Sequence, residues 1–176
     1  MRRPLSGAER LLILGVVVPI ALIGGAILME SVEPQGHTIT SSPHLYLTVG
    51  FNFTTGEDQY FPANFTIPSD VNVIVTIRNY DNGTNPVPDL SGRVAGTVGG
   101  TALINGQSVT SISGQNVSHT FTVASLGVNV PIPPSSSVTF TLLIEPAGVY
   151  QWHCMAPCQA NAMVTPGFME GTLTVV

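Results

Sequence analysis

The chain has 176 residues, enough for one ordinary domain and a short appendage. Only 9% of them are charged, lysine is absent and the formal net charge is -5, which argues against a nucleic-acid partner, since that needs clustered Lys and Arg. Ser, Thr, Asn, Gly and Val dominate, a composition of strands and turns rather than of solvated helices.

Residues 1–10 hold Arg2, Arg3 and Arg10. They precede LLILGVVVPIALIGGAILM, an uncharged run from Leu11 to Met29. That length matches the hydrocarbon core of a bilayer, roughly 30 Å at about 1.5 Å per residue. The run reads as one uncleaved transmembrane helix. A secretory signal has an apolar region of about 7 to 15 residues and a small-x-small cleavage site, which Met29-Glu30-Ser31 does not supply. After Arg10 the next arginine is Arg78. The positive-inside rule therefore predicts a cytoplasmic N-terminus, a single pass through the cell membrane and an extracytoplasmic C-terminal domain. Sequons at Asn52, Asn64, Asn82 and Asn116 suit an external domain.

Residues 30–44 are polar and contain two prolines, which predicts a tether. The folded domain is expected over 45–176. Leu45 to Val49 is a strand candidate, with FNFTT extending it past Gly50. Phe65 and Ile67 alternate with polar residues, Pro68-Ser69-Asp70 turns the chain, and Val71, Val73, Val75 and Ile77 fall on one face of a second strand, so the two read as a hairpin-like pair. From Asn82 to Gly114 the pattern weakens into loops with one or two short strands. VSHTFTV alternates, SLGVNVPIPPSSS reads as a proline-rich connection, VTFTLLI alternates again, and strands follow from about Val149 to Cys154 and over the terminal GTLTVV. Seven or eight short strands without an amphipathic helix predict an all-β fold, a Greek-key β-sandwich.

The chemistry gathers in the last third. His119 opens a strand, Cys154 closes one, Cys158 follows after a short turn, and Met163 and Met169 precede the last strand. Imidazole, thiolate and thioether are the ligand set of copper electron-transfer sites, whereas tetrahedral zinc sites rarely use methionine. The plainer reading of the cysteines is a disulfide closing a tiny loop in an oxidising compartment, where it adds little loop-closure entropy. No Ser-His-Asp set or paired catalytic carboxylates are recognisable, so an independent enzyme acting on a small-molecule substrate is not expected.

SHTFTV, GVYQWHC and MEGTLTVV resemble the cupredoxin family, which places a His at the start of one strand, a Gly-x-Tyr-x-aromatic-x-Cys strand later, and a ligand Met before the terminal strand. The paired segments in YFPANFTIPSDVNVIVTIRNYD look like the family's N-terminal strands. The resemblance covers roughly residues 45 to 176 and implies a cupredoxin-like sandwich. Within the family, Cys154-x-x-x-Cys158 is similar to the binuclear CuA site of cytochrome oxidase subunit II, in which two thiolates bridge two coppers. One N-terminal helix carrying an outward domain also resembles the compact subunit II of some archaeal and b-type haem-copper oxidases.

By that resemblance His119, Cys154, Cys158 and Met169 are copper ligands, and the carbonyl of Met155 or Ala156 faces a second metal. The family takes a second histidine from the loop between cysteine and methionine, yet no histidine follows His153; Gln159, Asn161 and Met163 stand there instead. One copper ion and two are both open. Along the strand, Trp152 shares the face of Cys154 while His153 points the other way, which makes His153, with Trp152, a candidate for electron entry, and a bulge at the strand end would make His153 an extra ligand.

Three functions follow. The first is an electron-transfer component of a respiratory chain, either a subunit II-like, CuA-like partner of an oxidase core subunit or a tethered mononuclear carrier of the sulfocyanin kind that serves another redox protein. The second is Cu(I) storage or delivery, which a site rich in sulfur suits. The third is a metal-free structural surface domain with a Cys154–Cys158 disulfide.

Overall fold

The computed structural model describes residues 41–176; the expected cytoplasmic segment over 1–10, the membrane span over 11–29 and most of the tether over 30–44 lie outside the described residues. Among the described residues no helix is long and apolar enough to cross a membrane. Every helical element there is a three-residue 3-10 turn, and the remaining regular structure is strand.

Eleven strands run in chain order as β1 (His44–Asn52), β2 (Glu57–Phe61), β3 (Phe65–Ile67), β4 (Val73–Asn79), β5 (Ala102–Ile104), β6 (Gln107–Val109), β7 (His119–Val123), β8 (Val128–Ile132), β9 (Ser137–Leu142), β10 (Gly148–His153) and β11 (Glu170–Val175). They form two sheets, ordered β2-β1-β4-β9-β5-β6 and β3-β11-β10-β7-β8. Both are mixed, because β1 runs parallel to β4 and β3 runs parallel to β11, while the other pairs are antiparallel. The fold is all-β.

Period-two alternation explains the core. Val73, Val75 and Ile77 of β4 and Val138, Phe140 and Leu142 of β9 are buried from one sheet, and Val130 and Ile132 of β8, Trp152 of β10 and Leu173 and Val175 of β11 from the other. Phe121 of β7 joins the two layers, its ring 5.9 Å from Phe140 and 5.6 Å from Trp152. Burying each such side chain contributes about 1.5–3 kcal/mol, which makes this seam the main source of stability.

The structure corrects the sequence reading in three places. The segments now seen as β3 and β4 are not a hairpin: β3 pairs with β11 and β4 with β1 and β9, so the chain changes sheets at Pro68-Ser69-Asp70. That crossing is pinned by the Ser69 N–H on the Val176 carbonyl at 2.7 Å and the Asp70 N–H on the Ile144 carbonyl at 3.1 Å, while Asp70 takes a left-handed φ of 55°. Residues 128–132, read as a proline-rich connection, are β8. This is the edge strand of its sheet, where Pro131 costs little because its missing N–H leaves no inner neighbour unpaired. The count is eleven rather than seven or eight, β2 being among the strands not foreseen.

One end of the second sheet collects the chemistry. β7 begins at His119 and lies beside β10, with His153 opposite Thr122; β10 lies beside β11, with His153 opposite Glu170. The start of β7, the exit of β10 into Cys154 and the entry of β11 after Met169 therefore meet.

Candidate metal centre

His119, Cys154 and Cys158 are all buried, with His119 at 0% exposure. Their ligand atoms lie within 4.8 Å of one another. His119 Nδ1 is 3.1 Å from Cys158 Sγ, and the two sulfurs are 3.5 Å apart as free thiols. The pairing of β7 with β10 brings residues 35 positions apart in sequence into contact, and the short turn over Met155, Ala156 and Pro157 swings Cys158 back to face the imidazole.

The surrounding backbone fixes these atoms. The Thr120 N–H donates to Cys154 Sγ at 3.3 Å, the Met155 N–H donates to Thr120 Oγ1 at 2.7 Å, and the Cys158 N–H donates to the Ala156 carbonyl at 2.7 Å. Asn85 Nδ2 donates to the Ser118 carbonyl at 2.9 Å and approaches Cys158 Sγ at 3.9 Å. Behind the site, the Tyr60 hydroxyl donates to the Thr120 carbonyl at 3.0 Å, and its ring stands edge-on to Trp152 at 4.8 Å.

The electrostatics favour one thiolate. The thiol of Cys154 is held well below the ordinary range, first because Cys158 donates a hydrogen bond to its sulfur, with His119 and the Thr120 N–H assisting against the opposing effect of burial. Cys158, as that donor, is pushed up, and burial adds to the rise. A proton shared by the two sulfurs is thus favoured on Cys158, and a soft metal that binds both thiolates would displace it. Burial raises the Tyr60 phenol well above its ordinary range and also raises Asp58, whose carboxyl is drawn back down by His119.

The other expected site residues are distributed around this cluster. Met169 is buried, its carbonyl accepting the Cys154 N–H at 2.8 Å, so the two main chains abut. Met163 lies half-buried on the 3-10 turn Ala162–Val164 and packs against the core, its N–H on the Gln159 carbonyl at 3.1 Å. His153 turns to the other side of β10, where Nε2 lies 3.0 Å from the sulfur of the exposed Met155. Trp152 is wholly inside, its indole N–H donating to the Ala63 carbonyl at 2.7 Å, so it offers no surface to a partner. Among the described residues the remaining imidazole, His44, lies on β1 against Thr76 Oγ1 at 2.9 Å. One imidazole serves the cluster.

Sequence reasoning passed over Asp58, Asp81, Asn85 and Tyr60. Asp58 and Asp81 form a second group with His119, their carboxylate and imidazole atoms within 4.8 Å of one another. Asp81-Asn82-Gly83 carries a turn signal, but no local pattern says that the turn aims a carboxylate at a residue 38 positions later.

Two thiols and an imidazole converging from a rigid strand frame suit a soft ion, and this donor set fits copper, Cu(I) above all. Fold and site together define a two-sheet β-sandwich with a buried His-Cys-Cys cluster. No protein-family model matches the chain and no curated protein does. It is similar to three solved structures among others. One is auracyanin from Roseiflexus castenholzii, with 17% identity, 77% of this chain and 98% of that one covered, and a TM-score of 0.41. Another is the metal-binding domain of the Cu(I)-exporting P-type ATPase CopA of Streptococcus pneumoniae, with 10% identity, 76% and 84% covered, and a TM-score of 0.39. The third is a multi-copper oxidase from Pediococcus acidilactici, with 11% identity, 78% of this chain but 27% of that one, and a TM-score of 0.44.

Proposed function

We propose that the domain is a cupredoxin-like copper module for electron transfer, anchored by residues 11–29 to the outer face of the cell membrane, and that it serves a terminal oxidase as a subunit II-like, CuA-like electron-entry component. The observation that carries this reading is the buried convergence of His119 Nδ1 and Cys158 Sγ at 3.1 Å with Cys154 Sγ 3.5 Å beyond. Copper, when bound, supplies one-electron cycling between Cu(I) and Cu(II).

The chain's own residues do the rest. His119, Cys154 and Cys158 bind, and Met169 adds a weak thioether from the strand end beside Cys154. The Thr120 N–H stabilises negative charge on Cys154 Sγ, and Tyr60, Trp152 and Phe121 keep water from the inner side. Because each donor hangs on a paired strand or a hydrogen-bonded turn, little has to move when the charge of the site changes.

A second reading is a tethered mononuclear carrier. The single imidazole of the cluster favours it, since a CuA pair takes two. The test is to purify the full chain in detergent, load it with Cu(II) and measure metal stoichiometry with visible and electron paramagnetic resonance spectra. Two coppers sharing one unpaired electron would support the CuA-like reading. One copper with a strong thiolate band would support the carrier. Uptake of Cu(I) without a stable coloured Cu(II) state would move the protein to copper storage or delivery, and no copper at all would leave a structural domain.

A further inference from the structure

His119 has two ring nitrogens, and the cluster uses one. Nδ1 faces Cys158; Nε2 is buried, has no hydrogen-bond partner in aligned geometry, and lies 3.3 Å from Asp81 Oδ2. A neutral imidazole carries one N–H, and where it sits decides whether Nδ1 is able to ligate.

The two placements are not equal. With the proton on Nδ1, that nitrogen donates to Cys158 and is closed to a metal, while the bare Nε2 points its lone pair at a carboxylate oxygen 3.3 Å away in a buried setting. With the proton on Nε2, the same approach becomes N–H towards carboxylate, and Nδ1 presents its lone pair to the sulfurs. The first arrangement keeps a neutral N–H···S contact but turns a buried lone pair on a carboxylate, whereas the second exchanges that contact for an N–H facing the carboxylate, and the charge-assisted contact is the stronger of the two.

Asp81 is built to stay in place. Its N–H donates to Asn79 Oδ1 at 2.9 Å, its carbonyl accepts the Ser135 N–H at 2.7 Å, its Oδ1 accepts the Gly83 N–H at 3.0 Å, and the Ser118 hydroxyl reaches Oδ2 at 3.5 Å. Asn79 itself is buried and donates to the Pro133 carbonyl at 2.8 Å. Oδ1 is thus committed to the turn, while Oδ2 faces His119 with the Ser118 hydroxyl beside it. Metal-ligating histidines commonly donate their second N–H to such a group, and loss of the partner costs about 10- to 100-fold in metal affinity.

We propose that Asp81 is a positioning residue of the metal centre, holding the proton of His119 on Nε2 so that Nδ1 faces Cys154 and Cys158 as a ligand. This rests on the copper reading only for its purpose; the proton placement itself is a property of the metal-free chain.

The test uses the full chain in detergent, labelled with ¹⁵N-histidine. In the metal-free protein the ¹⁵N spectrum is expected to show His119 with a protonated Nε2 and a bare Nδ1, and Asp81→Ala is expected to shift that population towards the Nδ1–H form. Cu(I) affinity, measured by chelator competition, is expected to fall about 10- to 100-fold in Asp81→Ala. Asp81→Asn, which keeps the shape and one carbonyl acceptor, is expected to lie between the two, and it carries the test if Asp81→Ala does not fold.

An unchanged tautomer in a folded variant would overturn the proposal. So would a second equivalent of Zn(II) bound by the wild type and lost in both Asp58→Asn and Asp81→Asn, because the carboxylates would then be ligands themselves. Failure of the wild type to bind copper would sink the proposed function while leaving the tautomer result to decide the role of Asp81.

Discussion

The backbone N–H of Thr120 donates to the sulfur of Cys154 at 3.3 Å, so the residue that follows His119 on β7 also holds the first cysteine at the end of β10. A hydrogen bond to sulfur favours the thiolate and sets its direction, which makes Cys154 the better placed of the two sulfurs to give a copper–thiolate band. Cys154→Ser is expected to abolish the colour of the Cu(II)-loaded protein, checked by visible absorption on a variant with an unchanged circular dichroism spectrum. Colour that survives the change would remove Cys154 from the site.

Met169 meets Cys154 through its carbonyl, and its side chain is buried beside the cluster strands. A thioether in such a position tunes a copper site more than it holds it. Met169→Leu is nearly volume-conserving and is expected to cost less than about 1.5 kcal/mol of stability. Copper is expected to stay bound, with its reduction potential raised because a donor to Cu(II) has been removed. Redox titration reads the outcome; loss of copper instead would make Met169 a principal ligand.

Gly171 on β11 has no room for a side chain. A β-carbon there would press into the Ala63 carbonyl oxygen and come within 2.8 Å of Trp152 Nε1, the two partners of the hydrogen bond that anchors the indole. Gly171→Ala is therefore expected to destabilise the domain by about 1–3 kcal/mol or more, since backbone oxygen cannot yield as a flexible side chain does. The urea midpoint should fall with the slope of the transition unchanged. A midpoint equal to that of the wild type would show that β3 and β11 part more easily than their pairing implies.

Asp58 is 7% exposed, and burial raises its carboxyl above the ordinary carboxylate range although His119 pulls it down. Its native pKa thus exceeds the unfolded value of about 3.9, so the folded state binds the proton more tightly. The folded state is favoured by this group below about pH 4, and that advantage is lost as pH rises through the native value. Asp58→Asn mimics the neutral form at every pH. It is expected to be more stable than the wild type at pH 7 and equal to it at pH 3, measured by urea unfolding of the metal-free chain at both. An equal gain at the two pH values would point to packing rather than charge.

Local pattern decided much of this protein. Alternation in VIVTI, VTFTL and GTLTV marks strands because one face of each is buried, and that information lies within a few neighbouring residues. The association of His119, Cys154, Cys158 and the methionines as a ligand set is likewise a matter of residue type, and the structure brings the first three together. Partnership was another matter. Whether β3 and β4 share a sheet depends on which distant strand offers an open edge, and Pro131 is compatible with β8 because that strand lies at the rim of its sheet. Asp58 and Asp81 are ordinary polar residues in their own surroundings; they become part of the centre only because β2 and the turn after β4 pack against the start of β7, contacts that span 61 and 38 positions of chain. The amino-acid sequence by itself determined what chemistry the chain owns and that its regularly alternating segments are extended. The tertiary structure alone decided which of those groups face one another, because strand pairing and burial are set by contacts that no local pattern encodes.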